Sequence, residues 1–224
     1  MTTSDASWSA SLRQIGELER QDHWHLRDHD HCYFFGEYSP GKGWAHSRTN
    51  QLVLNLKKKP ELRTTNQWVH KTRAIADVGR AIAANFKPEM LPGITFVPIP
   101  PSKPPEHPDY DDRMLQVARR IAPACDVREV LQTAAARDPR HTSGSKRDPA
   151  ALRATLRVRP ELLEGLGARP IVLLDDVLTT GCSYTVCRDL LAAQLPGASI
   201  FGIFVARRIV DRSSAFEDFA DLDL

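Results

Sequence analysis

The spacing of apolar residues along the chain predicts both helices and strands. Over residues 66–86 the apolar side chains recur every three to four positions, which predicts an amphipathic helix. Further helices are predicted at 114–121 and 183–195, and a short one at about 11–21. Residues 99–112 are rich in proline, which excludes a regular helix there.

Short apolar runs bounded by turn residues predict strands at 32–38, 93–98, 127–131, 171–176 and 199–206. The run that begins at Ile171 is too short for a helix and predicts a strand buried on both faces. Strands and helices therefore alternate, which indicates a parallel sheet. Residues 133–153 are polar and show no periodicity, and a loop of this length is usually functional or mobile.

Composition places the chain among ordinary globular proteins. It has 224 residues, 42% of them hydrophobic and 26% charged, and a net charge of +2 that is too small to imply nucleic-acid binding by itself. No apolar run approaches the length of a membrane span, and the N-terminus lacks the pattern of a signal peptide. The four cysteines show no paired spacing, which favours free thiols. A cytoplasmic location is expected.

The chemistry is concentrated in residues 171–183, with the sequence IVLLDDVLTTGCS. Open α/β sheets bind ligands at the carboxyl ends of their strands, where Asp175 and Asp176 are expected. Two adjacent carboxylates suit vicinal hydroxyls or Mg²⁺, and the Thr-Thr-Gly turn before a helix suits a phosphate. A sugar phosphate combines both. The alternative is a strand of another doubly wound protein that also ends in Asp-Asp, but such strands lack the Thr-Thr-Gly turn.

This run resembles the signature of type I phosphoribosyltransferases, which bind 5-phosphoribosyl-1-diphosphate (PRPP). Cys182 stands where that signature usually has Gly or Ala. The resemblance covers about 93–206 and implies that Asp175 and Asp176 bind Mg²⁺ together with PRPP. The PRPP-binding residues that it implies are Asp175, Asp176, Val177, Leu178, Thr179, Thr180, Gly181, Cys182 and Ser183.

Two other segments match parts that this family uses. The segment VPIPPSK, which resembles the ComF-like branch most closely, implies a pyrophosphate loop at Pro101, Ser102 and Lys103. A solvated loop lysine is the other interpretation of Lys103. The long basic loop implies a flexible lid over PRPP, and Arg140 joins Asp175, Asp176 and Lys103 as a catalytic candidate. The basic residues of this lid are Arg137, Arg140, His141, Lys146 and Arg147. A solvated charged loop and a nucleic-acid patch remain alternatives for it.

The N-terminal region has two aromatic or histidine-rich groups. Tyr33, Phe34, Phe35 and Trp44 either stack on an acceptor base or fill a small core. A second group has a spacing that matches no common zinc pattern, so histidines at a polar turn are the simpler interpretation. Its members are His23, His25, His29, His31 and Cys32.

Together these features predict an α/β fold with a mostly parallel central sheet flanked by helices, of the type I phosphoribosyltransferase kind. The predicted division is an N-terminal hood at 1–60, a core at 61–210 and an acidic tail at 211–224. The expected activity moves phosphoribose from PRPP·Mg²⁺ to a small nitrogenous acceptor. The alternatives are a non-catalytic sensor of PRPP or a nucleotide, and a competence- or defence-type accessory protein that contacts nucleic acid through Lys57, Lys58, Lys59 and the basic loop. A homodimer is common in the family, and no membrane partner is expected.

Overall fold

The computed structural model describes residues 8–134 and 148–210, and these ranges form a mostly parallel α/β domain. The strands are β1 (Trp8–Gln14), β2 (Cys32–Tyr38), β3 (Thr95–Pro98), β4 (Asp126–Val127), β5 (Leu131–Thr133), β6 (Leu156–Val158), β7 (Ile171–Leu178) and β8 (Ile200–Arg208). The α-helices are α1 (Glu17–Arg20), α2 (Arg48–Leu56), α3 (Trp68–Ala83), α4 (Arg113–Ala118), α5 (Pro149–Ala154) and α6 (Cys182–Gln194).

Six strands form the central sheet in the order β1-β2-β8-β7-β3-β4. All neighbours are parallel except β1, which runs antiparallel to β2 at the edge. Strands β5 and β6 form a separate antiparallel pair. The predicted α/β architecture, with a mostly parallel central sheet flanked by helices, is confirmed.

Strand β7 lies inside the sheet and is buried on both faces. Ile171 and Leu173 contribute to one apolar layer, together with side chains of α5 and α6. Val172 and Leu174 contribute to the other layer, together with side chains of α2, α3 and α4. This two-sided burial explains why the run is continuously apolar rather than alternating.

Three local predictions are wrong or incomplete. The helix expected at 11–21 is instead strand β1 followed by the single turn α1, because pairing with β2 outweighs the weak local pattern. The strand expected at 127–131 divides into β4, which pairs with β3, and β5, which pairs with β6. The expected loop 133–153 contains α5, and α2 is a helix that the periodicity did not predict.

Helix α2 has a serine, Ser47, at its N-cap position, and serine is a residue type that favours a helix start. Ser47 precedes the helix, and its hydroxyl accepts a hydrogen bond from the Asn50 N–H at 3.0 Å. Among the described residues, no helix is both long enough and apolar enough to cross a membrane.

Candidate functional site

A cavity of about 360 Å³ lies at the carboxyl ends of β3 and β7. Its walls come from the proline-rich loop after β3, the start of α4, strand β5 and the end of β7. Pro101 and Lys103 line it from the loop, Arg113 from α4 and Asp175 from β7. The cavity therefore lies where ligands bind in open parallel sheets.

The two adjacent aspartates of β7 have different surroundings, because successive side chains of a strand point to opposite faces. Asp175 lines the cavity, and one of its oxygens accepts the Asp176 N–H at 2.8 Å. The Oδ2 of Asp176 accepts two hydrogen bonds from Arg113, from Nε at 2.8 Å and from Nη2 at 2.5 Å. Its Oδ1 lies 3.4 Å from the Lys57 ammonium. Asp176 is thus neutralised by cations, whereas Asp175 faces the cavity.

Because their surroundings differ, the two carboxyl groups have different pKa values. Burial, followed by the charge of Asp176, raises the pKa of Asp175 to about 7. Burial acts in the same direction on Asp176, but Arg113 and Lys57 outweigh it and lower the pKa of Asp176. Burial and the charge of Asp176 thus favour the protonated form of Asp175, whereas Arg113 and Lys57 favour the ionised form of Asp176.

Lys71 of α3 connects this site to the end of α2. Its side chain is 0% exposed, and its ammonium donates to the carbonyl oxygens of Leu56 at 2.7 Å and Lys58 at 2.8 Å. The third donor reaches Asp111 Oδ2 at 2.7 Å. Burial lowers the pKa of Lys71, while the hydrogen bond to Asp111 opposes that shift. The two carbonyls flank Lys57, so Lys71 holds the backbone from which Lys57 extends.

These contacts close a ring of five charged residues. Asp111 Oδ2 also accepts from Arg113 Nη1 at 2.8 Å, and Arg113 in turn binds Asp176. Asp176 contacts Lys57, whose backbone is held by Lys71. We call Lys71, Asp111, Arg113, Asp176 and Lys57 the charge ring. It ties α2, α3, α4 and β7 together directly behind Asp175.

The Thr-Thr-Gly turn follows β7 directly and begins α6, as its sequence predicts. Gly181 has φ +85°, in the left-handed region that favours glycine. The Cys182 N–H is 3.4 Å from the Thr180 hydroxyl oxygen, which accepts it. Thr180 and Cys182 are buried, while Thr179 and Ser183 are partly exposed. The turn lies beside the cavity and does not line it.

An N-terminal segment covers the turn, and sequence reasoning missed this contact. His23 Nδ1 hydrogen-bonds to the Thr179 carbonyl oxygen, and the His25 N–H donates to the Thr180 carbonyl oxygen at 3.0 Å. A Cβ on Gly181 would lie 2.9 Å from the side chain of Leu26, so only glycine fits beneath this segment. We call residues 23–26 the strap. The only signal in the sequence was the density of histidines, which does not reveal a partner.

The structure brings together some of the predicted site residues. Asp175, Lys103 and Pro101 share the cavity, whereas Ser102 is exposed and does not line it. Val177 and Leu178 are buried in the two apolar layers rather than facing the cavity. The predicted lid residues lie outside the described residues. They are Arg137, Arg140, His141, Lys146 and Arg147.

Asp175 is a carboxylate at this edge that can accept a cation. Both oxygens of Asp176 contact cations, and one oxygen of Asp175 accepts a backbone N–H, which leaves the second oxygen of Asp175 open to the cavity for either a cation or a proton. Within 8–134 and 148–210 there is no cluster of three or more metal-ligating side chains. Mg²⁺ commonly binds through one or two carboxylates and substrate phosphates, which this arrangement permits.

The remaining N-terminal candidates have separate environments. Phe34 and Phe35 are fully buried in opposite apolar layers, whereas Trp44 is 58% exposed. His29 contacts Arg188, and His31 contacts Gln14. The histidines thus have different partners and do not converge on one point.

No protein-family model matches this chain, and no curated protein sequence matches it either. The class that the structure defines is an α/β protein with a six-stranded, mostly parallel sheet and a cavity at its carboxyl edge.

Proposed function

We propose that the protein is a phosphoribosyltransferase that transfers 5-phosphoribose from PRPP·Mg²⁺ to a nitrogen nucleophile and releases pyrophosphate. The observation that carries this proposal is the position of Asp175. It faces a cavity that it shares with Lys103, and the Thr-Thr-Gly turn begins three residues after its neighbour Asp176. Along this edge Lys103 suits the diphosphate of PRPP, Asp175 suits the ribose, and the Thr-Thr-Gly turn suits the 5-phosphate.

The reaction breaks the bond between C1 of the ribose and the diphosphate oxygen, and it forms a bond from C1 to nitrogen. Lys103 lies where it can stabilise the negative charge that develops on the departing pyrophosphate. Asp175 accepts the proton that the acceptor nitrogen loses, because its pKa is close to neutral. Mg²⁺, when bound with PRPP, would offset charge on the diphosphate next to Asp175. The charge ring keeps Asp176 ionised beside it.

One observation favours a second candidate, a PRPP sensor without turnover. Both oxygens of Asp176 contact cations of the charge ring, so this carboxylate is not available to the ribose hydroxyls in the described conformation. A protein that binds PRPP through the turn and Asp175 alone retains ligand recognition and lacks one acid of the expected pair.

The test measures pyrophosphate release from PRPP·Mg²⁺ with a panel of purine, pyrimidine and nicotinate-type acceptors. We expect release with at least one acceptor, and a loss of about 10²-fold or more in Asp175→Asn because the proton acceptor is removed. Asp77→Asn, on the exposed face of α3, is the matched control and retains the wild-type rate. PRPP binding without release for any acceptor would support the sensor, and absence of PRPP binding would contradict both functions.

A further inference from the structure

The strap hydrogen-bonds to two consecutive carbonyl groups of the Thr-Thr-Gly turn, those of Thr179 and Thr180. A carbonyl oxygen only accepts hydrogen bonds, so the His23 ring must carry its proton on Nδ1 to bond Thr179. Burial lowers the pKa of His23, which favours this neutral form. Its Nε2 has no hydrogen-bond partner among the described residues, so the contact with Thr179 is the bond that orients the buried ring. The second peptide is held by the His25 N–H.

Holding these carbonyls determines the direction of the N–H groups in the same peptides. In a planar trans peptide the C=O and N–H bonds point in opposite directions, and the described residues contain no cis peptide. The N–H groups of Thr180 and Gly181 therefore point away from the strap. Within the part of the chain that is described, neither N–H group has a hydrogen-bond partner. Successive N–H groups that end in a left-handed residue form a concave anion-binding nest.

The strap is itself anchored to the helix that starts at the turn. Arg27 donates to both oxygens of Asp189 on α6, at 3.2 and 2.7 Å. Arg188 of the same helix lies 3.3 Å from the buried Asp30. Arg27 and Asp30 follow the strap in the chain, so these ion pairs hold the strap against α6. They therefore help to keep the two peptide groups in one orientation.

We infer that His23 and His25 are positioning residues that aim the Thr180 and Gly181 N–H groups at a phosphate monoester. The inference rests on the proposed function only in naming that ligand, the 5-phosphate of PRPP. His23 acts through its side chain and His25 through its backbone, and neither is assigned a contact with the substrate. Residues 23–26 thus belong to the phosphate site although they lie at the other end of the chain.

The test compares His23→Asn with His23→Leu and His23→Gln. The Asn amide can place its nitrogen close to the position of Nδ1, whereas Leu has no donor and Gln places its amide nearer the position of Nε2. We expect the Kd or KM for PRPP to rise about tenfold in His23→Leu and His23→Gln, with kcat unchanged, and to return to within about threefold of wild type in His23→Asn. His31→Asn, at an exposed histidine, is the control and retains the wild-type Kd.

A second measurement separates this inference from the proposed activity. Inorganic phosphate is titrated while the backbone amide resonances of Thr180 and Gly181 are followed by NMR. Shifts of both resonances in wild type and His23→Asn, but weaker ones in His23→Leu and His23→Gln, support the inference even if no acceptor yields pyrophosphate. Equal responses in all four proteins, or no response in the wild type, would overturn it, and pyrophosphate release from PRPP would leave the proposed function standing.

Discussion

At the scale of single residues, Asp175 and Asp176 show how one backbone step changes the chemistry of a carboxyl group. The pleat of β7 directs Asp175 to the cavity and leaves Asp176 with Arg113 and Lys57. The ionised neighbour then adds to burial in raising the pKa of Asp175. Two residues of the same type therefore have distinct roles because their neighbours differ.

Replacing Asp175 by Asn is expected to stabilise the protein more at high pH than at low pH. The pKa of Asp175 rises from 3.8 to about 7 on folding, so the folded state binds more protons than the unfolded state between these values. The wild type therefore loses stability as the pH rises through this window. Asn cannot ionise and does not show this loss.

Urea unfolding at pH 5 and pH 8 measures this difference. The gain in unfolding free energy of Asp175→Asn over wild type should be larger at pH 8. Asp77→Asn, at a half-exposed carboxylate, should show no comparable pH dependence. A gain that is the same at both pH values would show that Asp175 does not carry the raised pKa.

At the scale of elements, the charge ring links α2, α3 and α4 behind the site, in addition to the apolar layer that these helices share. The Lys71 ammonium donates three hydrogen bonds to buried or part-buried acceptors from two other segments. A buried charge of this kind is tolerated only when its partners are present, because each unpaired member keeps the full cost of desolvation.

Lys71→Met should therefore destabilise the protein by about 3–5 kcal/mol, since it removes the donor to the carbonyl groups of Leu56 and Lys58 and one of the two cations that bind Asp111. Lys59→Met, at a lysine whose side chain is 74% exposed, should change stability by no more than about 0.5 kcal/mol. Adding Asp111→Asn to Lys71→Met should cost less than the two single changes together. Urea denaturation of the wild type, the three single variants and the double variant measures these differences, and additive costs for Lys71→Met and Asp111→Asn would show that the ring is not a coupled unit.

At the scale of the whole molecule, the N-terminal strands belong to the same sheet as the site. Strand β2 pairs in parallel with β8 from Cys32–Gly202 to Tyr38–Arg208, and β8 pairs with β7. The proposed boundary near residue 60 stays a prediction, but the sheet continues across it in space. Strand β8 hydrogen-bonds to β2, which precedes that boundary in the chain, and to β7, which follows it.

The whole described fold should therefore unfold in one cooperative transition. The chain has four tryptophans, and three of them, Trp8, Trp24 and Trp44, lie within the proposed hood. Tryptophan fluorescence thus reports mainly on the N-terminal part, while far-UV circular dichroism reports on all elements. Coincident urea transitions are expected by the two methods. Separate midpoints would instead show that residues 1–60 unfold as an independent unit.

The sequence by itself determined the helix α3, the strands β2, β3, β7 and β8, and the parallel α/β class, because each of these elements buries a long or continuous apolar pattern of its own. It also placed two acids and a phosphate-type turn at one strand end. Weak or short patterns, as in β1, α2 and β4, were not predictable, since their state depends on pairing or packing with distant segments.

Only the tertiary structure decided which acid faces the cavity and what covers the turn. Arg113 and Asp176 are 63 positions apart, and His23 and Thr179 are 156 positions apart. Local periodicity reports the burial of a residue on its own element and carries no information about such partners. The physical reason is that hydrogen bonds and ion pairs depend on distances in space, which chain separation does not define.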